Sequence, residues 1–158
     1  MNHAVSMART ILETEGLLCP TAFIYGDDSR ILARPWGNDE EKEAATALFR
    51  DEATRLNATL FFFIGEACAT DPDTGSRSRV VDVYVQTADD GEWSGLAFIT
   101  QKTSCLDFIT RKKGYLTFGE LDFAPMAERQ VGPNRFCGLL PSRPKIVDDG
   151  NVDKKRFA

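Results

Sequence analysis

Three polar side chains near the middle of the chain could support acid–base chemistry. Glu66 follows Leu60–Ile64, a run of five bulky apolar residues, so it stands at the end of what should be the most buried strand. A carboxylate in such a place is costly unless it is paired or used as a general base or metal ligand. Asp82 and Tyr84 fall on the polar face of the next predicted strand and could lie across from it. These three residues are the candidate catalytic site.

Glu66 also has a purely structural interpretation. The buried strand could emerge into solvent at Gly65, which would leave the carboxylate solvated or paired with Arg77 or Arg79. A β-bulge at Gly65 would redirect the side chain as well. The direction in which Glu66 points therefore distinguishes the two interpretations.

Several familiar kinds of site are excluded by residue type. His3 is the only histidine, so catalytic schemes that depend on a histidine base are not expected. The four cysteines form no CxxC pair, and neither GxxxxGK[ST] nor GxGxxG occurs. In the segment that begins Asp71-x-Asp73, the sixth position of a calcium loop holds Ser76 instead of glycine. We therefore predict no metal site and no cofactor.

A second set of residues could bind a macromolecular partner. Trp36 lies between Pro35 and Gly37 in a predicted loop, where it would either close the end of the sheet or anchor a partner. Basic side chains from the last third of the chain complete the set. The candidate partner-binding residues are Trp36, Arg111, Lys112, Lys113, Arg129 and Arg135.

The charges are unevenly distributed along the chain. Residues 1–110 hold 9 basic and 18 acidic side chains, a net charge of −9, and residues 111–158 hold 10 basic and 6 acidic ones, a net charge of +4. The overall charge of −5 argues against nucleic-acid binding by bulk electrostatics. The basic segment could instead dock on its own domain, on an acidic protein partner or on a second copy of the chain.

The elements that would position these residues are two helices and several pairs of strands. Apolar residues at helical spacing predict a helix over 4–15, and an N-cap at Asn38 with Glu41 three residues later predicts another over 39–56. Strands are predicted as a hairpin over 21–34, as single strands over 59–69, 79–87 and 93–101, and as a further hairpin over 106–118.

This order of elements predicts an α+β fold in which two helices pack on one face of a mostly antiparallel sheet of five to seven strands. We predict a single domain over residues 1–124, an irregular wrapping segment over 125–147 and a disordered tail over 148–158. No apolar run approaches the ~20 residues of a membrane span. A cytoplasmic protein with reduced cysteines, no secretory leader and no membrane partner is expected.

Part of the chain resembles a group of small uncharacterised bacterial and phage α+β proteins. The similarity covers about residues 20–100: a β-hairpin, an acid-capped helix, an apolar strand that ends Gly65-Glu66-Ala67, and a Pro/Asp turn before a Val-rich strand. That group usually has Trp after the Glu-Ala pair, where this chain has Cys68. The resemblance implies no activity.

Three hypotheses of function result. The first is a small non-enzymatic cytosolic protein that binds another macromolecule or itself. The second is an enzyme, or a small-ligand or metal-binding protein, that uses Glu66 with Asp82 or Tyr84. The third is an acidic inhibitor of the phage type, which would mimic nucleic acid with the acidic surface of residues 1–110.

Overall fold

Residues 2–89, 91–103, 114–128 and 135–141 are described by the structure, a computed structural model. They form two helices and seven strands, followed by a short 3-10 helix at Met126–Glu128. The elements in chain order are α1 (Asn2–Glu15), β1 (Thr21–Tyr25), β2 (Ser29–Ala33), α2 (Asp39–Arg55), β3 (Leu60–Thr70), β4 (Arg77–Thr87), β5 (Gly91–Thr103), β6 (Gly114–Phe118) and β7 (Asp122–Pro125).

All the strand pairs of the sheet are antiparallel. The strand order is β2-β1-β3-β4-β5-β6, and β7 also pairs with β5. β3 and β4 form a long central hairpin that extends beyond β1, because β1 pairs with β3 only as far as Ile64. The prediction of an α+β fold with a mostly antiparallel sheet is confirmed.

The placement of the two helices corrects the prediction that both pack on one face. Successive side chains of β3 point to opposite faces of the sheet. Phe61 and Phe63 contribute to the core under α2, whereas Phe62 and Ile64 contribute to the core under α1. A strand that is apolar on both faces needs a cover on each face, so the helices lie on opposite sides of the sheet.

The N-terminus of α2 is fixed by the predicted cap. The Asn38 Oδ1 accepts a hydrogen bond from the Glu41 backbone N–H at 2.8 Å, and the Glu41 Oε2 accepts one from the Gly37 backbone N–H at 2.6 Å. These contacts satisfy backbone donors that a helix end leaves without intrahelical partners. They also hold the loop that carries Trp36 against the start of the helix.

The last described residues add two features to the sheet. β7 lies at the end of the predicted domain 1–124, where no strand was predicted, and it pairs with β5. Residues 135–141, named the clasp from here on, lie on the α2 side of the sheet and bury Phe136 and Leu139 in its core. The predicted strand at 106–110 and the predicted tail at 148–158 lie outside the described residues. No helix in the described part of the chain is long and apolar enough to span a membrane.

Candidate functional site

Glu66 points to the α1 face of the sheet, where it is occupied by structural contacts. Its carboxylate accepts hydrogen bonds from the Arg79 guanidinium, with Nη2 2.7 Å from Oε1 and Nε 3.0 Å from Oε2. It also accepts the Leu18 backbone N–H at 2.8 Å, while Arg79 donates to the Gly16 carbonyl at 3.1 Å. Glu66 therefore ties the central hairpin to the connection between α1 and β1, as the structural interpretation with Arg79 predicted.

Asp82 and Tyr84 lie on the opposite face from Glu66. The register pairs Gly65 with Asp82 and Phe63 with Tyr84, and directly paired residues share a face. Phe63 and Tyr84 belong to the core under α2. The sheet thus separates Glu66 from the other two candidate catalytic residues, and the three do not converge on one reacting group.

Tyr84 is fully buried, and its hydroxyl belongs to a polar network. It donates to the Glu92 Oε1 at 2.7 Å and lies 3.4 Å from the Phe136 carbonyl oxygen. Gln86 donates to the same Glu92 oxygen at 2.9 Å, and the Cys137 thiol lies 3.7 Å from Oε2. Burial, followed by the hydrogen bond to Glu92, holds the pKa of Tyr84 well above its ordinary value. A phenol that stays protonated and has no exposed surface is a structural group rather than a general base.

The network joins the clasp to the sheet. The Gln86 Oε1 accepts the Leu140 backbone N–H at 2.9 Å, and Arg50 of α2 donates to the Gly138 carbonyl at 3.3 Å. Phe136 enters an aromatic cluster, with its ring centroid 4.7 Å from that of Phe63 and 5.4 Å from that of Tyr84. The polar groups of the site are thus satisfied by one another, as buried polar groups generally are.

An open cleft of about 880 Å³ lies where the central hairpin passes the end of β1. It curves around the edge of β3 that β1 leaves open, so its lining comes from both faces of the sheet. The end of β3 and the start of β4 contribute side chains from the α1 face, and the start of α2 and the clasp contribute theirs from the α2 face. The lining residues are Trp36, Gly37, Lys42, Phe63, Glu66, Ala67, Cys68, Arg77, Arg79, Asp82, Arg135 and Phe136. Four of them are cationic and two are anionic, so the lining is positive in a chain whose overall charge is −5. We call it the cationic cleft.

Two predicted partner-binding residues meet in this cleft. Trp36 stacks on Phe63, with ring centroids 5.5 Å apart and planes inclined by 17°, and the Arg135 guanidinium lies 5.8 Å from the Trp36 ring centroid. Trp36 is only partly buried, so it both closes the end of the core and presents aromatic surface to the cleft. Aromatic and arginine side chains together are typical of binding hot spots.

The cations of the cleft differ in how far they are neutralised. Arg79 is paired with Glu66, and Lys42 lies 3.9 Å from the fully solvated carboxylate of Asp39. Arg77 and Arg135 form no ion pair with any residue that the structure describes. The register places Arg77, which pairs with Thr70, on the α1 face with Glu66, whereas Arg135 belongs to the clasp on the α2 face. The cleft therefore offers an incoming polyanion one guanidinium group on each side of the edge of β3 that β1 leaves open.

The remaining predicted binding residues, Arg111, Lys112, Lys113 and Arg129, lie outside the described residues. Sequence reasoning did not assign Arg77 or Lys42 to a site. The buried network was not predicted either: the hairpin of β4 and β5 pairs Gln86 with Glu92, whereas the predicted strands at 79–87 and 93–101 left Glu92 in the turn between them. No signal in the local sequence could bring Arg135 to Trp36, because the contact spans about a hundred residues of chain.

Among the described residues, no group of three or more His, Cys, Asp or Glu side chains is arranged to hold a metal ion. Burial raises the pKa of the Cys19 thiol, which favours an inert thiol over a nucleophile.

Comparisons of the chain with family models, with curated proteins and with solved structures found no match.

Proposed function

We propose that this protein is a non-enzymatic cytosolic binding module that recognises an acidic segment of a partner protein in the cationic cleft. One observation carries the proposal: Arg77 and Arg135, which form no ion pair with a described residue, share an open cleft with the partly exposed ring of Trp36.

The chemistry of the cleft favours carboxylates presented by a polypeptide. A guanidinium group is a planar fork of donors that matches a carboxylate. A volume of about 880 Å³ is larger than a single side chain needs and can hold several residues of a peptide. A long nucleic-acid strand is a poorer ligand, because the net charge of −5 on the chain would repel phosphates outside the cleft.

Binding can be measured through Trp36. The chain has two tryptophans, Trp36 and Trp93, so a Trp93→Phe background leaves Trp36 as the fluorescent reporter. We expect an oligoglutamate peptide to change this fluorescence and an oligoglutamine peptide of the same length to leave it unchanged. The affinity should fall as salt is added, because the contacts are between partly exposed charges.

Arginine substitutions provide the test and its matched control. Arg77→Gln and Arg135→Gln should each lower the affinity for the oligoglutamate peptide about tenfold, because each removes roughly one charge-assisted contact. Arg30→Gln removes the same charge from β2, near the far end of α2, where Arg30 pairs with Glu52, and it should leave the affinity unchanged. Equal binding of the two peptides, or equal effects of all three substitutions, would show that the proposal is wrong.

The same variants also test whether the partner is a second copy of this chain. If light scattering detects a dimer of the wild-type chain that Arg77→Gln and Arg135→Gln dissociate, the acidic segment belongs to a second copy. If the wild-type chain is a monomer that binds oligoglutamate, the partner is a different protein.

A further inference from the structure

The cationic cleft depends on a segment that is distant along the chain. Arg135 and Phe136 belong to the clasp, whereas every other lining residue lies between positions 36 and 82. Phe136 packs against Phe63, and Phe63 in turn stacks on Trp36. Removal of the clasp would therefore take away one unneutralised guanidinium, one wall of the cleft and the support behind the Trp36 stack.

None of the strand pairs that the structure describes includes a residue of the clasp, and side chains supply its described contacts with the sheet and with α2. Its docking contacts include the buried side chains of Phe136 and Leu139, the Gln86 amide that accepts the Leu140 N–H, and the Arg50 guanidinium that donates to the Gly138 carbonyl. One backbone–backbone hydrogen bond lies inside the clasp itself, from the Leu139 N–H to the Phe136 carbonyl. The clasp can consequently leave the core without breaking any of the described strand pairs, as locally opening segments do.

We propose that the clasp regulates the cleft: the docked clasp completes the anion site, and the undocked clasp dismantles it. This inference rests on the proposed function, because it concerns the same cleft. A ligand that contacts Arg135 has its full set of contacts only when the clasp is docked, so ligand binding and docking stabilise each other by the same factor. Changes that loosen the clasp far from the cleft should weaken binding, although they touch no ligand-contacting residue.

The experiment compares two identical changes in the full-length protein. Leu139 is 1% exposed in the clasp and Leu12 is 0% exposed in α1, and neither lines the cleft. Leu139→Ala should lower the affinity for oligoglutamate about tenfold, because only the docked fraction binds fully. Leu12→Ala creates a similar vacancy in the core on the other face and should leave the affinity unchanged.

Hydrogen exchange reports on the clasp independently of any ligand. In the wild-type protein, oligoglutamate should slow exchange at the amides of residues 136–140. Leu139→Ala should accelerate exchange at those amides and leave the amides of β3 and β4 unaffected. If Leu139→Ala does not fold, Gln86→Met serves in its place, since it removes the acceptor of the Leu140 N–H at similar volume.

The two proposals fail in different ways. Absence of oligoglutamate binding to the wild-type protein would overturn the proposed function and, with it, the regulation of that site. Binding that Leu139→Ala and Leu12→Ala weaken equally would overturn the regulation alone. So would clasp amides that exchange only as fast as those of β3, because the clasp would then open only when the whole domain unfolds.

Discussion

Replacement of Glu66 by Gln tests whether this carboxylate is a structural group. The amide oxygen can still accept the Leu18 N–H, but the new NH₂ faces the donors of Arg79 and the ion pair is lost. A hydrogen bond to a charged group contributes about 1.5–3 kcal/mol. The Arg79 side chain is 41% exposed, so solvent reduces this value. We expect Glu66→Gln to lower the free energy of unfolding by about 1–2 kcal/mol.

A double-mutant cycle separates the pair from its surroundings. Urea denaturation of the wild type, Glu66→Gln, Arg79→Gln and the double variant should give a coupling energy of about 1 kcal/mol. The surface pair Arg30–Glu52 is the control, because the Arg30 side chain is 54% exposed and Glu52 keeps its contact with Arg55. Its coupling energy should be smaller than that of Glu66 and Arg79.

Two results would refute the structural role of Glu66. A carboxylate held in place for chemistry often destabilises the fold, so an increase in stability on Glu66→Gln would favour a functional role. A coupling energy with Arg79 no larger than that of the surface pair would mean that the contacts do not stabilise the connection between α1 and β1.

Three further substitutions test the fold directly. Gly26→Ala should cost about 2 kcal/mol or more, because the added Cβ would press on the carbonyl oxygen of Leu56, a backbone atom that cannot turn away. Gly119→Ala, whose Cβ would meet nothing within 4 Å, is the matched control, and equal melting temperatures for the two would contradict the packing. Asn38→Ala should lower the free energy of unfolding by about 1 kcal/mol through loss of the α2 cap, as urea denaturation would show. Tyr84 has a raised pKa, so its contribution to stability is present below the ordinary phenol value of 10.0 and is lost as the pH rises above it. Urea denaturation on both sides of this pH should show that Tyr84→Phe loses less stability at alkaline pH than the wild type does. Equal losses for the two proteins would contradict a raised pKa of Tyr84.

The central part of the fold was predictable because its signals are local. Five apolar residues at Leu60–Ile64 are enough to indicate a strand buried on both faces, and the Asn38 cap marks the start of α2 within one residue. The same run also indicated that each face needs a cover, since Phe61 and Phe62 point in opposite directions. The error about the helices arose because the pattern shows that a face is covered and does not show which segment covers it.

The candidate site was harder to predict because it depends on register and on distant contacts. The partner of Glu66 is set by the pairing of Cys68 with Arg79, which depends on the conformation of the turn between β3 and β4. A shift of the pairing by one residue would move every side chain of one strand to the other face. The contact of Arg135 with Trp36 depends on how the chain returns after β7, and no local pattern encodes that path.

Phe136 is synthesised later than the other residues of the aromatic core that it completes. The aromatic face formed by Phe49, Phe61, Phe63 and Tyr84 is closed by a residue that leaves the ribosome 52 positions after Tyr84. At typical rates of translation this interval lasts ~3–10 s. During that time α2 and the central hairpin have already emerged, while the ring that completes their core has not. A nascent chain arrested in this interval would expose the aromatic face to chaperones, so the yield of folded protein should be sensitive to translational pauses before residue 136.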